Sequence, residues 1–231
     1  NRKNKNIIRM LPVCSAAFLF IAMEICCNNQ EAAISEIALS SPGNNVLKVK
    51  AAVSCTRPVD VLVKYWRADS PRVVYSTPAS IHKKQHSVIL TNLLPSSKYQ
   101  YKVITINNKS ETESRVYDFK TSDLPFWLKD AFPVLNPRPE NLPDGFRKGY
   151  IMLYKREEPG TIYFVNYKGE IVWYHRVENT GFKVAHFTNK QTLLSILGNS
   201  NYETSYGDQL LEISLTGDTI LNLKKGINDF K

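Results

Sequence analysis

Apolar residues in this chain fall mainly at every second position, in short runs broken by polar turns. Val46-Leu47-Lys48-Val49-Lys50-Ala51-Ala52-Val53 and Val59-Asp60-Val61-Leu62-Val63-Lys64-Tyr65-Trp66 show the pattern, and Ser87-Val88-Ile89-Leu90 continues it. Alternation of this kind, rich in Val, Ile, Tyr, Phe and Thr, predicts β-strands; helical spacing is scarce beyond the N-terminal segment. Two stretches repeat one design. Ile162 to Trp173 and Leu210 to Leu221 each read as strand, polar turn with a glycine, strand, and Gly169 and Gly217 lie 48 residues apart. Four-stranded propeller blades are typically about 40–50 residues long. The pattern predicts an all-β chain in which 149–231 opens an incomplete β-propeller of one to two blades. Strands over Tyr150–Tyr154, Ile162–Tyr167, Ile171–Val177, Phe182–Thr188 and Thr192–Leu197 belong to the first blade. Asp208–Leu215 and Thr219–Leu223 begin the next, and Ser200–Gly207 crosses between blades.

The strand series ahead of the repeat occupies 34–122. It resembles a fibronectin type III-like β-sandwich: Leu93-x-Pro95-x-Ser97-x-Tyr99 looks like its tyrosine corner, Trp66 takes the central-strand aromatic position, and Phe119-x-Thr121 looks like the closing strand. Such a fold carries almost no information about activity. Between the two units, 123–148 holds Pro125, Pro133, Pro137, Pro139 and Pro143, which predicts an extended strap. Its Phe126, Trp127, Phe132, Val134 and Leu135 predict that the strap packs onto its neighbours.

Residues 1–26 read as a targeting segment. Arg2, Lys3, Lys5 and Arg9 form a basic flank, Met10–Ile25 is mostly apolar, and Cys26-Cys27-Asn28-Asn29 follows. The arrangement resembles a bacterial lipoprotein signal, which implies lipidation at Cys26 or Cys27, a membrane anchor, and a periplasmic or outer-membrane location. Loss of 1–25 takes the net charge from +9 to +6, diffuse and without a long basic block. That argues against nucleic-acid binding and leaves a mild preference for anionic small molecules. Of the four cysteines, Cys14 lies in the targeting segment and Cys55 sits in an apolar strand as a core residue, so no disulfide framework or zinc spacing emerges. His82 and His86 lack a nearby carboxylate or cysteine and flank Lys83 and Lys84; they read as part of a solvated loop or edge strand, and no metal site is expected.

From Gly149-Tyr150-Ile151 through Gly160-Thr161-Ile162-Tyr163-Phe164-Val165-Asn166-Tyr167-Lys168-Gly169-Glu170-Ile171-Val172-Trp173-Tyr174, the chain resembles the opening blade of bacterial arylsulfate sulfotransferases. Ala185-His186-Phe187-Thr188-Asn189 resembles a later element of the same blade, and Asp208-Gln209-Leu210-Leu211 the next start. The resemblance implies sulfuryl transfer from an aryl sulfate donor to a phenolic acceptor through a sulfated histidine, with no cofactor. That family's catalytic histidines fall at slots beyond Lys231. Within 149–231 the candidates are His186, Arg176 and His175: His186 occupies the matching slot in an earlier blade, and His175-Arg176 follows the Trp173-Tyr174 strand. Imidazole is a competent nucleophile near neutral pH, and a cation can hold charge on the sulfuryl oxygens. Two other classes compete. One is a surface or periplasmic binding protein with a non-catalytic propeller. The other is a secreted phosphoesterase with a fibronectin-like leader, disfavoured because its Asp/His metal motifs are absent.

Overall fold

The computed structural model describes residues 34–42, 45–108, 110–129, 143–203 and 205–227. Residues 1–26, where the sequence predicts a targeting segment and lipidation at Cys26 or Cys27, lie outside the described residues. The described part is all-β apart from two four-residue helices, and it opens with a fibronectin type III-like sandwich.

Seven strands build the sandwich: β1 (Ile34–Ser40), β2 (Val49–Arg67), β3 (Val74–Ser76), β4 (Ser80–Leu90), β5 (Lys98–Asn107), β6 (Ser110–Glu113) and β7 (Tyr117–Lys120). The long β2 serves both layers. Its first half pairs with β1 and β4, and its second half pairs with β3 and β5, which carries β6 and β7 on its other edge. The sequence explains the division. Val49, Ala51, Val53 and Cys55 are buried in alternation, Thr56-Arg57-Pro58 is exposed as a unit, and alternation resumes at Val59, Val61, Val63 and Tyr65. Proline lacks a ladder donor, so it belongs at the break. The core aromatic of β2 is therefore Tyr65, stacked on Tyr75 with ring centroids 5.6 Å apart. Trp66 faces the other way, half-buried, its indole N–H donating to Gln100 at 3.1 Å; this corrects the sequence expectation.

Tyr99 forms the tyrosine corner. Its buried hydroxyl accepts a hydrogen bond from the Leu94 N–H at 2.8 Å. Burial pushes the phenol up to about 12, so it remains protonated. Cys55 is buried and free, its thiol also raised by burial. His86, on β4, is buried rather than solvated: its ring nitrogens meet Ser80 Oγ and the Lys83 carbonyl, each at 2.9 Å.

Helix α1 (Phe126–Lys129) and helix α2 (Asp144–Arg147) lie in the strap. Beyond them, β8 (Ile151–Lys155), β9 (Gly160–Val165) and β10 (Ile171–Val177) form a three-stranded antiparallel sheet ordered β10-β9-β8. β11 (Gly181–Phe187), β12 (Thr192–Gly198), β13 (Gln209–Ser214) and β14 (Thr219–Lys224) form a four-stranded sheet in chain order. The partition differs from the sequence expectation. β13 and β14 complete the sheet that β11 and β12 begin, and Ser200–Gly207 links two neighbours within it. Among the described residues the sheets do not close into a ring.

The repeated hairpin is real at the level of hydrogen bonds. Gly169 N–H donates to the Asn166 carbonyl and Gly217 N–H to the Ser214 carbonyl, both at 2.9 Å, and both glycines have positive φ, 79° and 96°. The β11–β12 turn has the same form, Gln191 N–H donating to the Thr188 carbonyl at 3.0 Å, with Gln191 at φ 59° in the glycine position.

β11 packs against β8 and β9. Ile162, Trp173, Phe182, Leu193, Leu197, Leu211 and Ile213 fill the space between the sheets, joined by Leu94 from the tyrosine corner. Leu47, Leu128, Val165, Ile171 and Tyr174 form a second cluster on the opposite face of β10. Each such aliphatic or aromatic side chain contributes roughly 1.5–3 kcal/mol of transfer free energy. These shared cores hold the sandwich, the strap and both sheets together. No helix among the described residues is long and apolar enough to cross a membrane.

Candidate functional site

The turn leading into β2 docks on β10. Asn45 Nδ2 donates to the Tyr174 carbonyl at 2.9 Å, the Val46 N–H donates to the Tyr174 hydroxyl at 3.1 Å, and Asn45 Oδ1 accepts from Leu47 N–H at 3.0 Å. Leu47 is thereby driven into the cluster around Tyr174, and Lys48, the next residue, is turned to the other side. Its ammonium lies over the Trp173 ring, 5.0 Å from the centroid, and Lys48 is only 4% exposed. Gly217 provides the room, since a Cβ there would stand 2.6 Å from Lys48 Nζ.

Strand β10 distributes its aromatic and basic residues between two faces. Trp173 and His175 share one face and stack, with centroids 6.3 Å apart and planes 18° from parallel. Tyr174 and Arg176 share the other, where Trp127 of α1 meets both: edge-on to Tyr174 at 5.8 Å and beneath the Arg176 guanidinium at 4.4 Å. Arg176 also pairs with Glu178 at 2.8 Å. Trp173 thus faces the four-stranded sheet, and Tyr174 faces the strap and the turn before β2. Of the strap residues expected to pack, Trp127 does so beside Leu128, Phe126 is exposed instead, and Phe132, Val134 and Leu135 lie outside the described residues.

Between these elements lies a cleft of about 1140 Å³ whose walls include Asn45, Lys48, Trp127, Tyr163, His175 and Arg176. Its electrostatics follow from burial. Desolvation pulls Lys48 from 10.5 down to about 8, partly offset by the carboxylate of Asp218. His175 falls from 6.5 to about 4, first through burial and then through the nearby Lys48 charge. At neutral pH the cleft thus presents an ammonium beside a neutral imidazole, with the ion-paired Arg176 at its rim.

The three candidate residues do not converge. His175 and Arg176 both reach the cleft, from opposite faces of β10. His186 stands on β11 in the other sheet, exposed and opposite Leu194. Among the described residues no group of three or more His, Cys, Asp or Glu side chains could hold a metal ion. Asn45 and Lys48 escape sequence reasoning. In the alternation of 46–53 Lys48 takes an outward parity, and its burial comes from Trp173 of β10 and the turn at Gly217.

No protein-family model matches the chain, and no curated protein matches it. Solved structures do. A computationally redesigned β-sandwich protein is 18% identical over 40% of this chain and 96% of its own, with a TM-score of 0.33. The sensor domain of the anti-sigma factor RsgI4 of Pseudobacteroides cellulosolvens is 23% identical over 40% of this chain and 98% of its own, with a TM-score of 0.29. The FN1–FN3 domains of chicken CNTN1 are 12% identical over 83% of this chain and 86% of their own, with a TM-score of 0.30. At such TM-scores the fold assignment rests on the strand order and tyrosine corner described above.

Proposed function

We propose that this chain is a binding module: a fibronectin type III-like sandwich locked to blade-like sheets, holding its ligand in the cleft between them. One observation carries the reading. Lys48 is almost wholly buried at the cleft wall, yet no carboxylate lies within ion-pair distance of it among the described residues. A desolvated charge without a bonded partner costs stability, and groups kept at such cost cluster at functional sites. Neither histidine has the surroundings of a nucleophile. His186 is exposed on β11, and His175 is stacked flat on Trp173 in the other sheet, so the two cannot act on one group.

A second reading keeps the sheets as consecutive blades of a β-propeller and the chain as part of an arylsulfate sulfotransferase-like enzyme. Its support is the 48-residue offset, which maps β9 and β10 onto β13 and β14. It places His186 on the one strand of the second sheet, β11, that has no counterpart in the first.

The discriminating experiment is transfer from a chromogenic phenyl sulfate to a phenol acceptor. A binding module gives no turnover. Turnover that disappears in His186→Ala establishes the enzymatic reading instead.

A further inference from the structure

We propose that the cleft is an oxyanion site, in which a carboxylate, phosphate or sulfate group of a small-molecule ligand sits against the ammonium of Lys48; this deepens the binding reading and rests on it. The described residues contain two buried lysines, and they differ in one respect. Lys183 donates to the Tyr202 carbonyl at 3.1 Å. Lys48 touches the face of Trp173 and has no hydrogen-bond acceptor among the described residues. Asp218, the carboxylate whose charge reaches it, is turned to its own hairpin, accepting from Thr216 Oγ1 at 2.5 Å and Ser214 Oγ at 3.2 Å.

His175 is the second observation. It is half-buried beside Lys48, and neither ring nitrogen has a hydrogen-bond partner among the described residues. A neutral imidazole has one N–H to donate, and an anion next to the ammonium is the acceptor both groups lack. Arg176 is already engaged by Glu178 and Trp127, so it flanks the site rather than forming it. The cleft, about 1140 Å³, exceeds the roughly 300–1,000 Å³ of ordinary small-molecule sites, so it has room for a ligand body beyond the anion itself.

The charge that binds is also the charge that titrates. The groups facing Lys48 are His175 on β10 and Asp218 in the β13–β14 turn, with Arg176, Glu178 and Lys155 farther round the cleft. Deprotonation of Lys48, about pH 8 in the free protein, removes the anion's partner. Affinity is therefore flat across neutral pH and falls as pH rises past that point.

The test titrates sodium phosphate, sulfate and acetate into the full chain, with sodium chloride holding ionic strength constant, and follows tryptophan emission. Trp173 lies directly under Lys48 and reports occupancy; Trp66→Phe and Trp127→Phe assign the signal to it. Expected is saturable binding of at least one oxyanion, weakened at least tenfold in Lys48→Gln and Lys48→Met, with a smaller loss in Arg176→Gln. Urea midpoints confirm that each variant is folded. Equal affinity in the Lys48 variants, or no saturable response to any of the three anions, overturns the proposal. Phenyl sulfate turnover dependent on His186 contradicts the binding reading instead, whatever the anions do.

Discussion

Lys48 and Trp173 meet face to face across the boundary between sandwich and sheet, ammonium over indole at 5.0 Å, both less than a twentieth exposed. Cation–π attraction at a desolvated site is about 2 kcal/mol or more; burial acts against the charge and lowers the Lys48 pKa, with only a partial offset from Asp218. The fall from 10.5 to about 8 corresponds to about 3 kcal/mol held against the charged form. Lys48→Met is accordingly expected to be more stable than the parent chain at pH 7, by up to that amount. The sign with pH follows. Below pH 8 both folded and unfolded states carry the proton and the penalty is full. Between 8 and 10.5 the folded state alone has released it, so the parent gains stability relative to Lys48→Met. Urea midpoints at pH 7 and pH 10 measure the difference, and a parent that stays equally far below the variant at both contradicts it.

The two equivalent turn glycines separate backbone from cleft. Both have positive φ, so Gly169→Ala and Gly217→Ala each cost about 1–2 kcal/mol in urea unfolding. At position 217 the new methyl group meets Lys48 Nζ, and Gly217, unlike Gly169, is part of the cleft wall. Gly217→Ala is expected to change Trp173 emission and weaken anion binding severalfold, while Gly169→Ala leaves both unchanged.

Removal of the tyrosine-corner hydroxyl tests the sandwich alone. Tyr99→Phe leaves the Leu94 N–H without its acceptor in a buried position, a loss of about 1–3 kcal/mol. Because Leu94 also packs into the core between the sheets, the unfolding transition is expected to remain single and to move as a whole. Two separated transitions would show that the units unfold independently.

His175 gives the acid limb. Its folded pKa lies near 4 against an ordinary 6.5, so the stability attached to the neutral ring is complete above pH 6.5 and is lost as pH falls toward 4. The parent chain is expected to lose more stability between pH 7 and pH 4.5 than His175→Gln does. Equal losses would place the imidazole in ordinary solvent.

Much of this architecture is legible in the alternation of single residues. Odd positions from Val49 through Tyr65 are buried with one break at Arg57, and that parity alone selects Tyr65 for the core. Only the resemblance to sandwiches that keep a tryptophan there favours Trp66. The hairpins announce themselves through Gly169 and Gly217. The third turn has no glycine, Gln191 taking the left-handed position, and is marked only by the polar Asn189-Lys190-Gln191 between two predicted strands. That β13 pairs with β12 is a long-range choice with no local signature, so the sequence pattern puts the blade boundary two strands too late, after β12 instead of after β10. Lys48 is the clearest case. The alternation of 46–53 marks it as solvent-facing, and its burial comes from β10 and the 214–218 turn, far along the chain.

The most direct measurement compares urea unfolding of the parent chain and Lys48→Met at pH 7, each with and without the oxyanion at saturating concentration. Selective binding to the folded state adds stability through mass action, about 2.7 kcal/mol at a hundredfold excess over Kd. Expected is a gain of this order for the parent and none for Lys48→Met, which begins as the more stable of the two. A gain of equal size in both proteins contradicts the assignment of Lys48 as the group that holds the ligand.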